Sequence, residues 1–172
     1  MTAPFRVLVL CTGNSARSQI GEALLATRGA ARVAGPVLAT SAGSRPAARI
    51  NPYAVETLAA HGIGWDGGAP KSIDDVADQS FDLVITVCDH ARDACPVFPG
   101  AGVQVHWGLP DPADATTPDD ARRAFAATYD ALSSRVDALF ALPLESLERA
   151  ALREAASAIH VTLPVPEPVP VQ

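Results

Sequence analysis

The chain has 172 residues, 48% of them apolar and 19% charged, which is the length and composition of one soluble globular domain with a sizeable core. No apolar run approaches the roughly 20 residues of a membrane span, and a net charge of −6 argues against nucleic acid as a partner, since phosphate-backbone binding needs a basic face. Residues 1–6 lack signal-peptide anatomy, so a cytoplasmic location is expected; the three cysteines are then candidates for chemistry, or else small buried hydrophobes, rather than structural disulfides.

Residues 5–10 are a β-rich run without polar alternation, as in a strand buried on both faces. A Gly/Asn/Ser loop follows, and the pattern then predicts a helix over residues 17–28. A second strand is predicted over residues 37–42, ended by Gly43. Pro52 opens a second helix with Ala54, Val55, Leu58 and Ala59 on one face, stopping at Gly62. Residues 82–87 form the clearest strand; Pro96, Pro99, Gly100 and Gly102 mark a long loop, and residues 103–107 a fourth strand. Thr117-Pro118-Asp119-Asp120 combines a cap, a first-turn proline and acids facing the positive helix end, and Phe125, Leu132, Val136 and Leu139 give the helix that follows a core face. Pro143 interrupts it, and a further amphipathic helix is predicted over residues 144–159.

Strands alternating with helices imply one α/β domain: a four-stranded parallel sheet with helices on both faces. The division expected is a catalytic domain over residues 1–142, a helical extension over 143–160 and a proline-rich tail over 161–172. Prolines at 164, 166, 168 and 170 keep that tail out of helix and central strand, so it is expected to be disordered. In such sheets ligands gather beyond the carboxyl ends of the strands. Cys11 ends the first strand, Cys88 ends the third, and Asp111 sits in the loop after the fourth.

The loop Cys11-Thr12-Gly13-Asn14-Ser15-Ala16-Arg17-Ser18 opens a helix. A loop of this kind curls its backbone N–H groups around a tetrahedral anion, and the helix adds partial positive charge. Gly13 permits a positive φ and Asn14 tolerates the left-handed region. Arg17 offers a planar fork to two anion oxygens, Ser15 and Ser18 supply hydroxyls near the nucleophile, and the positive field favours a Cys11 thiolate. The Gly-Lys-Ser/Thr ending or GxGxxG pattern of a nucleotide loop is absent.

This loop resembles that of the low-molecular-weight protein tyrosine phosphatase superfamily: a cysteine, five residues, then arginine and serine. Asp111-Pro112 matches that family's general acid, and the resemblance spans roughly residues 5 to 140. Within the superfamily, Cys88-Asp89-His90-Ala91-Arg92-Asp93-Ala94-Cys95-Pro96 and His106-Trp107-Gly108-Leu109-Pro110-Asp111-Pro112-Ala113 are similar to the arsenate reductases. The phosphatases carry aromatic residues after the aspartate-proline pair; here Ala113-Asp114-Ala115-Thr116 follows, which suits a small inorganic oxyanion.

The resemblance implies that Cys11 attacks arsenate held by the loop amides and Arg17, with phosphate or sulfate as analogues, while Asp111 protonates the departing oxygen. Cys88 then attacks Cys11, arsenite leaves, and Cys95 carries the disulfide outward to thioredoxin or to glutaredoxin with glutathione. The alternative is a phosphatase that hydrolyses phosphate monoesters through a Cys11 phosphoenzyme with Asp111 as general acid. A non-catalytic oxyanion or redox sensor is a third reading, against which the presence of Cys11, Arg17 and Asp111 together speaks.

No tightly bound cofactor is expected. Asn14, Glu22 and Ser41 align with positions that hold potassium in part of the reductase family, while the remaining carboxylate of that set falls near Ile73 or Asp74. No closed four-ligand zinc spacing appears around His90 and His106. His61 and His160 read as uninvolved, Trp65 and Trp107 as packing residues, and Arg45 either as added charge near the rim or as a solvated loop residue. A monomer is expected, without nucleic-acid or membrane partners.

Overall fold

The computed structural model describes residues 3–87 and 97–170. Strand β1 (Phe5–Cys11) leads into helix α1 (Arg17–Gly29), followed by β2 (Val37–Gly43), α2 (Pro52–Ala60), β3 (Phe81–Thr86), β4 (Ala101–His106), α3 (Pro118–Phe140) and α4 (Arg149–Thr162). The strands pair in parallel in the order β2-β1-β3-β4. From β1 the chain steps outward to β2 on one side and later returns to β3 on the other. The crevice where the winding reverses therefore lies at the carboxyl end of β1, beside Cys11.

Alternation along β1 builds two cores. Val7, Val9 and Cys11 face one side with Leu83, Ile85, Val103 and Val105, and all four α-helices contribute to that cluster. Leu8 and Leu10 face the other with Ala42, Val84 and Phe98, closed by Val76 of the short 3-10 turn Ile73–Val76. Among the described residues, then, α-helices cover one face and a turn covers the other. Leu144, Leu152, Ala156 and Ile159 are buried in the same cluster as the sheet, and the buried indole of Trp107 donates to the Ala156 carbonyl at 2.9 Å. The segment after residue 142 is thus a layer of the domain's packing.

Several boundaries differ from expectation for local reasons. The last helix begins at Arg149 rather than Leu144, because Pro143 accepts from the Ser146 N–H at 3.0 Å and closes a turn there. It also runs through Thr162, two residues into the segment read as tail. Strand β4 begins at Ala101, with Gly102 so close to β3 that a Cβ there would stand 3.0 Å from the Asp82 carbonyl. The cap of α3 is as expected: Thr117 Oγ1 accepts from the Asp120 N–H, with Pro118 in the first turn. Among the described residues no helix is long and apolar enough to cross a membrane.

Candidate active site

Residues 11–17 connect β1 to α1, and their backbone polarity is sorted by what lies outside them. The carbonyls of Cys11, Thr12, Gly13 and Ser15 accept from the N–H groups of Ser44, Arg45, Ala47 and Asn51 at 2.8–3.2 Å. The Asn14 carbonyl accepts from Gln19 Nε2 at 3.1 Å. With the carbonyls drawn outward, the loop presents its amide side inward, the arrangement that binds oxyanions. No side chain caps the first turn of α1, whose Ncap is Ala16, so its dipole faces the loop unmasked.

The left-handed residue is Asn14 at φ 48°; Gly13 is not at positive φ, contrary to the role expected for it. Gly43, at the end of β2, is needed because the loop passes over it, and a Cβ there would stand 2.8 Å from the Asn14 nitrogen.

Cys11 is buried, and its sulfur lies 2.8 Å from Ser18 Oγ and 3.2 Å from the Asn14 nitrogen, whose N–H it accepts. The surrounding donors give each proton a place. Asn14 Nδ2 donates to Ser18 Oγ at 2.9 Å and to Ser41 Oγ at 2.8 Å, and a Cys11 thiolate, having no proton to give, takes the Ser18 hydroxyl as donor. Both donors to Cys11 favour its anionic form. Ser15 plays no part in this, since its hydroxyl donates to the Arg49 carbonyl at 2.9 Å.

Arg17 is 6% exposed. One guanidinium nitrogen donates to the Leu109 carbonyl at 2.8 Å, and another pairs with Asp111 Oδ2 at 2.8 Å. Its Nε is buried and without a protein hydrogen-bond partner among the described residues. An unbonded guanidinium donor in a buried site is costly unless a ligand completes it. Asp111 caps the 3-10 turn Pro112–Asp114, its Oδ1 accepting from the Ala113 N–H at 3.0 Å, which leaves Oδ2 directed at Arg17. The cavity beside the pair, about 310 Å³, is lined by Arg17, Leu109, Pro110, Asp111, Asp114 and Val165, among others, with no aromatic ring among the described residues.

Asn14, Glu22 and Ser41 converge as expected, but not as a potassium site. Ser41 donates its hydroxyl to Glu22 Oε2, while Asn14 Oδ1 accepts from the Lys71 N–H at 2.8 Å and from Gln19 Nε2 at 3.2 Å. The Lys71 ammonium stands 3.6 Å from Glu22 Oε2. A fixed cation already occupies the carboxylate, and the donors presented to Asn14 and Ser41 match hydrogen bonding rather than metal ligation. These residues do not fit potassium. Burial raises the Glu22 carboxyl above its ordinary 4.5, against the opposing pull of Ser41 and Lys71.

Sequence reasoning missed Lys71, Gln19 and the Leu109 carbonyl. Lys71 had a signal, being the single lysine of the chain. Trp65 donates to Gln19 Oε1 at 3.0 Å and so supports the loop from behind. His61 stacks on Tyr129, and His160 accepts from Arg135 Nε at 3.1 Å, both away from the loop. Arg45 touches the site through its backbone N–H, on the Thr12 carbonyl. Cys88, His90 and Cys95 lie outside the described residues. Val87, the residue before Cys88, donates to the Leu10 carbonyl, the residue before Cys11, at 2.9 Å.

Comparison with known proteins agrees with this architecture. The family model described as low molecular weight phosphotyrosine protein phosphatase matches residues 6–154. An arsenate reductase of Halalkalibacterium halodurans is 37% identical over 131 residues, covering 76% of this chain and 91% of that protein. A solved structure described as an arsenate reductase in the phosphate binding state superposes with a TM-score of 0.65 at 27% identity, covering 80% of this chain and 97% of that one. The thioredoxin-dependent arsenate reductase of Corynebacterium glutamicum superposes with a TM-score of 0.56 at 28% identity, over 80% of this chain and 64% of that one. With its cysteine-to-arginine loop, its Asp111 and its four-stranded parallel sheet, the chain belongs to the low molecular weight phosphotyrosine protein phosphatase family.

Proposed function

We propose that this protein reduces arsenate to arsenite. The observation that carries the reading is a buried thiol beside Ser18 Oγ and the Asn14 N–H, set in the same loop as a buried guanidinium whose Nε lacks a partner among the described residues. That pairing suits a nucleophile and a clamp for one tetrahedral oxyanion. The similarity to proteins named arsenate reductases, the ring-free mouth beside Asp111 and the presence of Cys88 and Cys95 support arsenate over a phosphate ester.

The entering anion takes over Arg17 from Asp111, whose carboxyl takes up a proton as that ion pair is given up; the Cys11 thiolate then attacks arsenic(V), and an arsenate hydroxyl departs as water with the proton from Asp111. Loop amides and the Arg17 fork hold the charge that develops on the remaining oxygens. The Cys88 thiolate then attacks Cys11 sulfur. The sulfur–arsenic bond breaks, its electron pair stays on arsenic, and arsenite leaves as arsenic(III). Cys95 attacks Cys88 and frees the Cys11 thiolate, and an external dithiol, thioredoxin in our reading, or glutaredoxin with glutathione, reduces the Cys88–Cys95 disulfide.

The test is an NADPH-coupled assay with arsenate, thioredoxin and thioredoxin reductase, with glutaredoxin and glutathione in a parallel arm and p-nitrophenyl phosphate hydrolysis in a third. Arsenate-dependent NADPH loss that disappears in Cys11→Ser and Cys88→Ala supports the reading. Background NADPH loss together with brisk ester hydrolysis that survives Cys88→Ala would assign the loop to phosphate-ester chemistry instead.

A further inference from the structure

The segment that fastens the loop from outside, residues 44–51, does so with main-chain atoms. The N–H groups of Ser44, Arg45, Ala47 and Asn51 donate to carbonyls of residues 11–15, and the Arg49 carbonyl accepts from the Ser15 hydroxyl at 2.9 Å. These bonds require no particular side chain at positions 45 and 49. Both positions nevertheless carry arginine, and both are exposed.

The charges around them are lopsided. Between Glu22 and Glu56 the sequence has four arginines and no aspartate or glutamate. Arg28 and Arg32 are paired with Asp137 and Glu145 at 2.8 and 2.6 Å, and the Lys71 ammonium faces Glu22. Arg45 and Arg49 make no ion pair with any described residue. The two cavities that adjoin Asp111 are charged the other way. They carry Asp111, Asp114, Asp120 and Glu167 against Arg17 and Arg123, and no residue of the 44–51 segment lines either.

A protein of net charge −6 repels an approaching anion except where local charge outweighs the whole. Arg45 and Arg49 put two such charges on the segment that touches the loop, the Arg45 N–H being 2.8 Å from the Thr12 carbonyl. However the two side chains turn, their guanidiniums stay well inside the roughly 30 Å over which a charge acts at 0.01 M ionic strength.

We propose that Arg45 and Arg49 are a steering pair, whose charge speeds the entry of small oxyanions into the loop without contacting the bound anion. The inference rests on reading residues 11–18 as an oxyanion loop. Steering has a signature that packing lacks: it is indifferent to the shape of the cation, grows with the charge of the ligand and disappears in salt.

The test needs no turnover. Anionic iodoacetate and neutral iodoacetamide, reagents of similar size, are compared on Cys11 of the reduced full-length protein by peptide mass spectrometry. Both react with the thiolate, so the ratio of their rates cancels any change in Cys11 ionisation or in the folded fraction and keeps what depends on reagent charge. At about 10 mM ionic strength Arg45→Gln/Arg49→Gln lowers the iodoacetate-to-iodoacetamide ratio about threefold, as two charges about 10 Å away in water supply, and Arg45→Glu/Arg49→Glu lowers it about eightfold. Arg45→Lys/Arg49→Lys keeps the ratio of the unaltered protein, and at about 0.5 M salt all four proteins converge. A ratio that the glutamine pair leaves unmoved at low salt overturns the proposal, and so does a lysine pair that behaves like the glutamine pair. Saturating inorganic phosphate protects Cys11 from both reagents. Absence of that protection would overturn the loop reading itself, whereas protection with an unmoved ratio overturns the steering pair alone.

Discussion

Arg17 and Asp111 form an ion pair at 2.8 Å across the mouth of the loop, with the same guanidinium bound to the Leu109 carbonyl. The proposed anion clamp and the proposed proton donor are therefore paired in the ligand-free protein. The Leu109 carbonyl and the Pro112–Asp114 turn hold the two in register. An entering oxyanion must share the guanidinium with the carboxylate, and in doing so it lies beside the acid that serves it.

Removing that competition while removing the acid separates binding from chemistry. Asp111→Asn binds inorganic phosphate more tightly than the unaltered protein, by up to about fivefold, the worth of a half-exposed ion pair. Its turnover falls by about 10² to 10⁴, the usual contribution of a general acid. Calorimetry and the coupled assay check the two halves. Weaker phosphate binding would show that Asp111 supports the clamp rather than competing for it.

Ser18 Oγ stands 2.8 Å from Cys11 Sγ, and because a thiolate has no proton to give, Ser18 is the donor of that contact in the ionised form. A hydrogen bond to a charged group contributes about 1.5–3 kcal/mol, and one pH unit corresponds to about 1.4 kcal/mol. Ser18→Ala accordingly moves the pH midpoint of Cys11 alkylation by iodoacetamide upward by about one to two units. An unchanged midpoint would mean that the hydroxyl proton points elsewhere.

Lys71 supplies the cation at the Glu22 carboxylate. Thermal melts of the unaltered protein should be the same in sodium chloride and potassium chloride at equal ionic strength. Lys71→Met leaves a buried carboxylate without its partner and destabilises by about 1–3 kcal/mol, less than a fully buried pair because the lysine is partly exposed. A potassium-specific rise in the midpoint of the unaltered protein would restore the alkali-metal reading of this cluster.

The same cluster makes stability depend on pH. Burial raises Glu22 in the folded state above 4.5, so the folded protein binds more protons than the unfolded chain in the window above that value. The stability linked to this group is fully present below about 4.5 and declines as pH rises through the raised folded value. Glu22→Gln abolishes that decline, and the stability of the variant relative to the unaltered protein increases from acid to neutral pH. Urea midpoints at several pH values measure it; a flat or falling difference would contradict the assignment.

Much of the fold was legible because its signals are local. The unalternating run at Val7, Leu8, Val9 and Leu10 could only be a strand covered on both faces, and both cores are there. Thr117-Pro118 named the start of α3 because capping needs only the residues next to it. The start of α4 was misplaced because residues 144–148 share the apolar spacing of a helix, and only the turn closed on Pro143 shows where winding begins. Of the two residues legible as suited to a left-handed position, Asn14 takes it, held by four side-chain partners, and Gly13 does not.

By itself the sequence determined which groups the loop holds together. Cys11, Asn14, Arg17 and Ser18 lie within one short connection, and covalent spacing keeps a thiol, a left-handed residue and a guanidinium close together where the loop opens a helix. Only the tertiary structure decided what surrounds them. Lys71, Ser41, Leu109 and the tail beyond Pro164 come from distant stretches, and their approach follows from the winding of the sheet and the packing of α3 and α4, which no local pattern encodes.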